Sequence, residues 1–348
     1  MIARTTGFPL ENADFQNIRK IIQVPSRMII VTHTNPDGDA VGASLAMYLY
    51  LVSKGHQVSV IIPDPSPAFL SWLPGHDQVL VFSQKPEKCI QLIQEASCIF
   101  CMDFNTLSRT SAAEPYLSAS RAQKILIDHH LFPSDQFDHR ITNVETSSTS
   151  ELVYDLIEAC SDLKLLNRDI AICLYAGIIT DTGSFSYSCN YVKTYSITAE
   201  LFRLGIDGEH IHHLIYDTYS ESRLRLLGYC LSERLTVLPQ YHTAYMVLTR
   251  DDLKRFQYQI GDTEGVVNYA LSIGIVNLAA LFMERDDYVK ASFRSKGNFN
   301  VEEIARNYFK GGGHSNASGA NCYEPLQNVV QRFIEILPRY VTRLKTVY

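Results

Sequence analysis

The sequence predicts an α/β protein built on a mostly parallel, doubly wound sheet, with a second, smaller α/β domain across a cleft. Three observations carry that prediction. Short apolar runs alternate with helix-spaced apolar patterns over residues 27–204, acids and imidazoles follow directly after several of those runs, and a length of 348 residues suits two cores better than one.

In chain order, the strand-like runs are Arg27 to Thr32, Gln57 to Ile62, Gln78 to Phe82, Ser97 to Asp103 and Gln123 to Asp128. Ala40 to Lys54 carries apolar residues at helical spacing and stops at Gly55. A helical block covers Ser148 to Cys160, Arg168 to Thr180 and Val192 to Leu204. Ser220 to Leu235 is a charged helical pattern closing near Pro239, which reads as a connector. The expected division is therefore a first domain over 1–219, a helical linker over 220–239 and a second domain over 240–348. The second domain opens on strand-like TAYMVLT, continues through a helical middle and reaches strand-like DDYVKASFRS.

Composition narrows the function classes. A net charge of −6 and a pI near 6.0 leave no basic field to hold long duplex nucleic acid, so a nucleic-acid substrate has to be small or gripped locally. No window is apolar for long enough to cross a bilayer, and the opening MIARTTGFPLENADF lacks the apolar stretch of an export signal, so a soluble, cytoplasmic protein is expected. The eight cysteines sit mostly in apolar runs and read as reduced core residues. Cys98 and Cys101 have metal-motif spacing, but in a strand residues three apart point to opposite faces and cannot share an ion.

Four ends carry the chemistry. After MIIVT come His33, Asp37 and Asp39; after CIFCM comes Asp103; after KILI come Asp128, His129 and His130; after AGIIT comes Asp181. Each alone can be a turn, and Asn35-Pro-Asp-Gly38 is a good turn sequence. Together, anionic groups gathered at the carboxyl end of a parallel sheet repel one another unless a cation lies among them. Acids and imidazoles without thiolates favour a divalent ion such as manganese or magnesium.

These residues resemble the signature of the DHH-superfamily phosphoesterases. The tripeptide appears as Asp128-His129-His130, the H-x3-D-x-D pattern as His33, Asp37 and Asp39, the lone strand-end aspartate as Asp103, and the final aspartate as Asp181 in TDTGSF. Arg294 to Gly319, RSKGNFNVEEIARNYFKGGGHSNASG, is similar to the RS...GGGHxxASG signature of the DHH-associated domain. Family II pyrophosphatases and prune-like exopolyphosphatases lack that second module, RecJ exonucleases are larger, and GdpP-type phosphodiesterases carry membrane segments. The arrangement is therefore similar to stand-alone NrnA-type members, which degrade very short oligoribonucleotides and dephosphorylate adenosine 3′,5′-bisphosphate.

The resemblance implies two Mn²⁺ ions, with Mg²⁺ or another divalent ion as substitutes, bridged by Asp103. One is held by His33 and Asp37, the other by Asp39, His129 and Asp181. Asp128 lies behind the ligands, accepting an imidazole N–H to orient a ligand, and His130 faces substrate, donating to a phosphoryl oxygen or protonating the leaving group. Gly38 and Gly42 are read as opening a helix whose amides face an anion. Gly311, Gly312 and Gly313 are read as an anion nest beside His314, with Arg294 as a phosphate fork and Ser295 its neighbour. Asn105 and Arg109 are further candidates for phosphate contact. The partners implied are short oligoribonucleotides and 3′-phosphoadenosine nucleotides, with a homodimer through the first domain. The competing readings are a pyrophosphatase or exopolyphosphatase and a non-catalytic nucleotide sensor.

Overall fold

The computed structural model describes residues 13–347; the opening residues 1–12, read above for an export signal, lie outside them. The chain forms two units, Met1–Thr218 and Tyr219–Tyr348.

In the first unit, six strands run parallel: β1 (Arg27–Val31), β2 (Gln57–Ile62), β3 (Val79–Val81), β4 (Cys98–Met102), β5 (Gln123–Asp128) and β6 (His139–Thr142), in the order β3-β2-β1-β4-β5-β6. The helices are α1 (Ala13–Ile21), α2 (Gly38–Ser53), α3 (Pro86–Glu95), α4 (Glu114–Ala119), α5 (Thr149–Ala159), α6 (Arg168–Asp181), α7 (Val192–Arg203) and α8 (Gly208–Tyr216). Alternate strand residues feed two cores. Ile30, Phe100 and Ile127 pack with residues of α2, α5 and α6, while Ile29, Val31, Ile99 and Leu126 pack with Cys89 and Ile93 of α3 and Leu117 of α4. Cys98 belongs to the first core and Cys101 to the second, so the two thiols point apart. The strand order reverses between β1 and β4, which opens a crevice at their carboxyl ends.

Close helix packing sets what enters that crevice. A Cβ on Gly42 of α2 would lie 2.6 Å from the Cys173 carbonyl oxygen of α6, and one on Gly38 would lie 2.4 Å from Thr180 Oγ1. These two glycines therefore serve contact with α6. The amides they were expected to offer to an anion are engaged within the protein: Asp37 Oδ1 accepts from the N–H groups of Asp39 and Ala40, at 3.1 and 3.0 Å, and caps α2.

The second unit holds a mixed sheet in the order β11-β12-β10-β9-β8-β7, from β7 (Leu235–Leu238), β8 (Thr243–Leu248), β9 (Leu278–Glu284), β10 (Val289–Ser295), β11 (Gly312–Gly313) and β12 (Ala317–Cys322). β8 and β9 pair parallel and the other neighbours antiparallel. Its helices are α9 (Glu221–Tyr229), α10 (Arg250–Arg255), α11 (Val266–Leu271), α12 (Glu302–Phe309), α13 (Leu326–Ile336) and α14 (Val341–Lys345). The expected linker over 220–239 is instead part of this unit: Leu226 and Cys230 enter its core, and β7 joins its sheet edge. The expected helical middle contains β9. Both faces of that strand are buried, Leu278, Ala280 and Phe282 in one cluster and Ala279, Leu281 and Met283 in another, so it shows no polar alternation.

Candidate metal centre

Backbone geometry brings the candidate ligands to the switch point. Asp103 follows β4 in a left-handed conformation, φ +64°, its amide donating to Ile127 O at 3.0 Å. Such a backbone costs about 1–2 kcal/mol for most residues, and Asp and Asn bear it best. The loops after β1, β4 and β5 are tied together: Thr34 N donates to Arg109 O at 2.8 Å, Asn105 Nδ2 to Leu131 O at 2.7 Å, and Ser134 N to Asn105 O at 2.8 Å. Asn105 thus spends its amide on the loop beyond His130, while Arg109 is half-buried and close enough for its charge to act on Asp128 and His130.

The expected ligands fall into two groups. His33, Asp37 and Asp103 place ligand atoms within 4.8 Å of one another, and so do Asp39, His129 and Asp181. Asp103 reaches both, with Oδ2 3.5 Å from His33 Nε2 and Oδ1 3.4 Å from His129 Nε2. His129 Nε2 also lies 3.3 Å from Asp181 Oδ2 and 3.9 Å from Asp39 Oδ2, and His33 Nε2 lies 4.0 Å from Asp37 Oδ2. His33 Nδ1 lies 2.8 Å from Thr34 O, an atom that only accepts, so Nδ1 is protonated and Nε2 faces the acids.

The electrostatics call for a cation. Burial, then the charges of Asp103 and Asp181, push Asp39 well above the ordinary carboxylate range. Burial also acts upward on Asp103, but the facing imidazoles, His129 first, outweigh it and hold this carboxyl well below its usual value. Burial alone would lower His129, yet Asp181, Asp103 and Asp39 push it up to about 10. His129 is therefore cationic among three acids, supplying the positive charge that a divalent ion held by these same groups would bring. An all-oxygen-and-imidazole donor set of this kind fits manganese or magnesium.

Asp128 and His130 form a separate pair. His130 Nδ1 is 2.7 Å from Asp128 Oδ1, so the imidazole oriented by Asp128 is that of His130 rather than the expected ligand. Burial, then Asp103, raises Asp128 to about 6. Burial and the Arg109 guanidinium hold His130 well below its ordinary value, as a neutral ring. With Nδ1–H donating to Asp128, the neutral ring has its acceptor at Nε2.

Two residues escaped the sequence reading. Thr149 N donates to Asp39 Oδ2 at 2.6 Å, Ser150 N and Oγ donate to Asp39 Oδ1 at 3.0 and 2.6 Å, and Thr149 Oγ1 donates to Asp103 Oδ1 at 2.9 Å. The first turn of α5 thus grips both carboxylates. The available signal was the hydroxyl run Thr146-Ser-Ser-Thr-Ser150 ahead of Glu151, a helix-start pattern that does not reveal what its donors meet.

In the second unit, the glycine run is not an open nest. Gly311 N donates to Ala305 O at 2.9 Å, and Gly312 and Gly313 pair with Gly319 and Ser318 as β11. A Cβ on Gly311 would lie 2.1 Å from Gly319 O, so closeness of two backbones explains that glycine. Ser295 is buried, donating to Phe299 O at 2.5 Å and accepting from Asn316 Nδ2 at 2.9 Å, rather than standing beside Arg294 as a ligand. Arg294 on β10 and His314 just past β11 are both half-buried.

A parallel sheet reversed at its centre, acids and imidazoles grouped on either side of Asp103, and a following mixed-sheet unit together define a phosphoesterase of the DHH class. Residues 27–178 match the DHH family, N-terminal domain, residues 240–343 match the DHHA1 domain, and the chain belongs to this family. It is similar to an exopolyphosphatase-related protein of Bacteroides fragilis, with 40% identity, a TM-score of 0.89, and coverage of 96% of this chain and 98% of that one. It is 29% identical over 315 residues, 90% of this chain and 95% of the relative, to a probable bifunctional oligoribonuclease and PAP phosphatase NrnA of Streptococcus mutans. It shares its fold with RecJ of Thermus thermophilus, solved in complex with Mn²⁺, at 14% identity and a TM-score of 0.58, covering 97% of this chain and 55% of that one. No helix among the described residues is long and apolar enough to cross a membrane.

Proposed function

We propose that this protein hydrolyses short oligoribonucleotides to nucleoside 5′-monophosphates and removes the 3′-phosphate of adenosine 3′,5′-bisphosphate, using two Mn²⁺ ions. The observation that carries the reading is Asp103 standing between two groups of acids and imidazoles, with a carboxylate oxygen towards each. Full-length likeness to an NrnA-type relative supports the substrate class.

Bound there, a divalent pair would supply an acidified water and charge stabilisation for in-line displacement at phosphorus. His33 and Asp37 would hold one ion, Asp39, His129 and Asp181 the other, and Asp103 both. His130 takes a proton at Nε2 and returns it to the leaving oxygen, while Asp128 fixes the ring and stabilises its charged form. Arg109, whose charge acts on that pair, is the candidate for meeting substrate phosphate in this reading. Arg294 and His314 are the second unit's substrate contacts in this reading, with the glycine run and Ser295 shaping the backbone that carries them.

The test offers purified protein and Mn²⁺ a dinucleotide (pApA), adenosine 3′,5′-bisphosphate and pyrophosphate in parallel. Turnover of the first two is expected. Turnover of pyrophosphate alone would establish the second reading, a pyrophosphatase or exopolyphosphatase, which the likeness to the Bacteroides fragilis protein favours. No turnover of any would leave a nucleotide-binding protein without catalysis.

A further inference from the structure

Glu151 is a carboxylate without solvent exposure, and the proposed chemistry does not use it. It occupies the third position of α5, after the N-cap Ser148, whose Oγ accepts from Glu151 N at 3.2 Å. In a capping box the glutamate would return a bond to the N-cap amide. Here that return bond is not made, and the side chain turns elsewhere. Oε2 accepts from Thr146 Oγ1 at 3.0 Å, and Oε1 accepts from Ser147 Oγ and from Thr194 Oγ1, the latter at 2.5 Å. Thr194 lies on α7, and its neighbour Lys193 pairs with Asp155 one turn further along α5. Every residue from Thr146 to Glu151 is buried, and so are Asp155 and Thr194.

A buried carboxylate is expensive to desolvate, and hydroxyl partners offset that less fully than a cation would. What this one secures is position. It draws the two residues ahead of the N-cap and the start of α7 onto one point, and the segment so clamped contains Thr149 and Ser150, which donate to Asp39 and Asp103. Both oxygens of Asp39 carry donors from this turn, so the turn decides which lone pairs the carboxylate presents to the centre.

We infer that Glu151 is a positioning residue for the metal centre: by clamping the 146–150 turn to α7 it aims Asp39 and Asp103 at the ions. The inference rests on the reading of those two aspartates as metal ligands. It implies that loosening the clamp weakens ion binding and the chemical step together while the fold and substrate recognition persist.

The experiment measures Mn²⁺ affinity by calorimetry on metal-stripped full-length protein, then kcat and KM on the dinucleotide, for wild type, Glu151→Gln and Thr194→Val. Glu151→Gln keeps the volume and removes the charge; Thr194→Val keeps the shape and removes one donor from the opposite side. A loss of about 10- to 100-fold in ion affinity, the range seen when partners behind metal ligands are removed, is expected for Glu151→Gln, with kcat falling and KM near wild type. Thr194→Val should show a smaller loss of the same kind. Wild-type affinity and kcat in folded Glu151→Gln would overturn the inference. So would an activity loss that follows only the folded fraction, with unchanged affinity in what remains folded. If Glu151→Gln does not fold, Thr194→Val decides by the same readouts. A wild-type protein that binds no divalent ion would instead overturn the ligand reading itself, and this inference with it.

Discussion

Replacing Asp103 by Asn tests the shared position of this residue at the centre. Asn is the informative choice because it tolerates the left-handed backbone at φ +64° and keeps an oxygen for the Thr149 hydroxyl, whereas Ala would add backbone strain and mix two effects. What Asn removes is the charge facing His33 Nε2 at 3.5 Å and His129 Nε2 at 3.4 Å, and with it a ligand common to both groups. An ion present at about 100 times its dissociation constant adds about 2.7 kcal/mol to stability. For a unit the size of Met1–Thr218, each kcal/mol moves the melting temperature by about 2–4 °C, so wild type should gain about 5–11 °C with Mn²⁺. If the lost charge weakens binding by about 100-fold, the upper end for partners behind a ligand and a modest demand on a ligand itself, the same ion concentration adds only about 0.4 kcal/mol, or about 1–2 °C. Differential scanning fluorimetry with and without Mn²⁺ reads the difference within each variant, so any change in metal-free stability cancels. A variant that keeps the wild-type shift would refute the placement of Asp103 between the ions.

Because His129 is pushed up to about 10 in the metal-free centre, it holds a proton at pH 7 that a metal must displace. Mn²⁺ binding should therefore release at least one proton, with Asp39, also pushed upward, able to add to it, and tighten by at least about tenfold per pH unit between pH 6.5 and 8, measured by calorimetry in buffers of different ionisation enthalpy; pH-independent binding would contradict it. A Cβ on Gly177 would lie 1.9 Å from Ser150 Oγ and 2.7 Å from Asp39 Oδ1. Gly177→Ala should destabilise the first unit by about 1–3 kcal/mol in chemical unfolding despite the better helix propensity of Ala, and weaken Mn²⁺ binding; wild-type stability would disprove the tight approach. In the second unit, burial acts upward on Asp252, but Arg234, 2.8 Å away, together with Thr249 and Tyr229, lowers it from 3.8 to about 2. Its folded pKa is depressed, so its stabilisation is present above pH 4 and lost as pH falls towards 2. At about 1.36 kcal/mol per pKa unit the shift is worth about 2.4 kcal/mol, and about 1 kcal/mol after solvent screening around the part-exposed arginine. Urea unfolding should show Asp252→Asn less stable than wild type by about that much at pH 6, with the gap closing between pH 4 and 2.5; a constant gap would rule out the ion pair as its cause.

The parts of this protein legible in the sequence are those whose chemistry resides in the residue type. Val31, Met102 and Ile127 end apolar runs, and an acid or imidazole one to three positions later has little reason to stand there except function, so β1, β4, β5 and their ligands were open to reading. β9 was not, because LAALFME is buried on both faces and its alanines and leucines carry a helical composition. β6 was missed at the sheet edge, where HRIT has a single buried apolar residue in four positions to mark it. The glycines suggest amides offered to an anion but matter for proximity, since a close contact such as Gly42 with the Cys173 carbonyl is invisible until α2 and α6 are packed. Thr149 and Ser150 lie 110 and 111 positions from the aspartate they hold, and a hydroxyl or an amide is a donor wherever it occurs. Sequence reading thus finds ligands more readily than the donors that aim them, because ligands are chemically distinctive and donors are not. The consequence for this centre is that its accuracy is set by the least conspicuous residues in it. Removing one charge at Asp103 should weaken the centre by taking away a ligand, whereas loosening the 146–151 turn should leave every ligand present and still cost ion affinity.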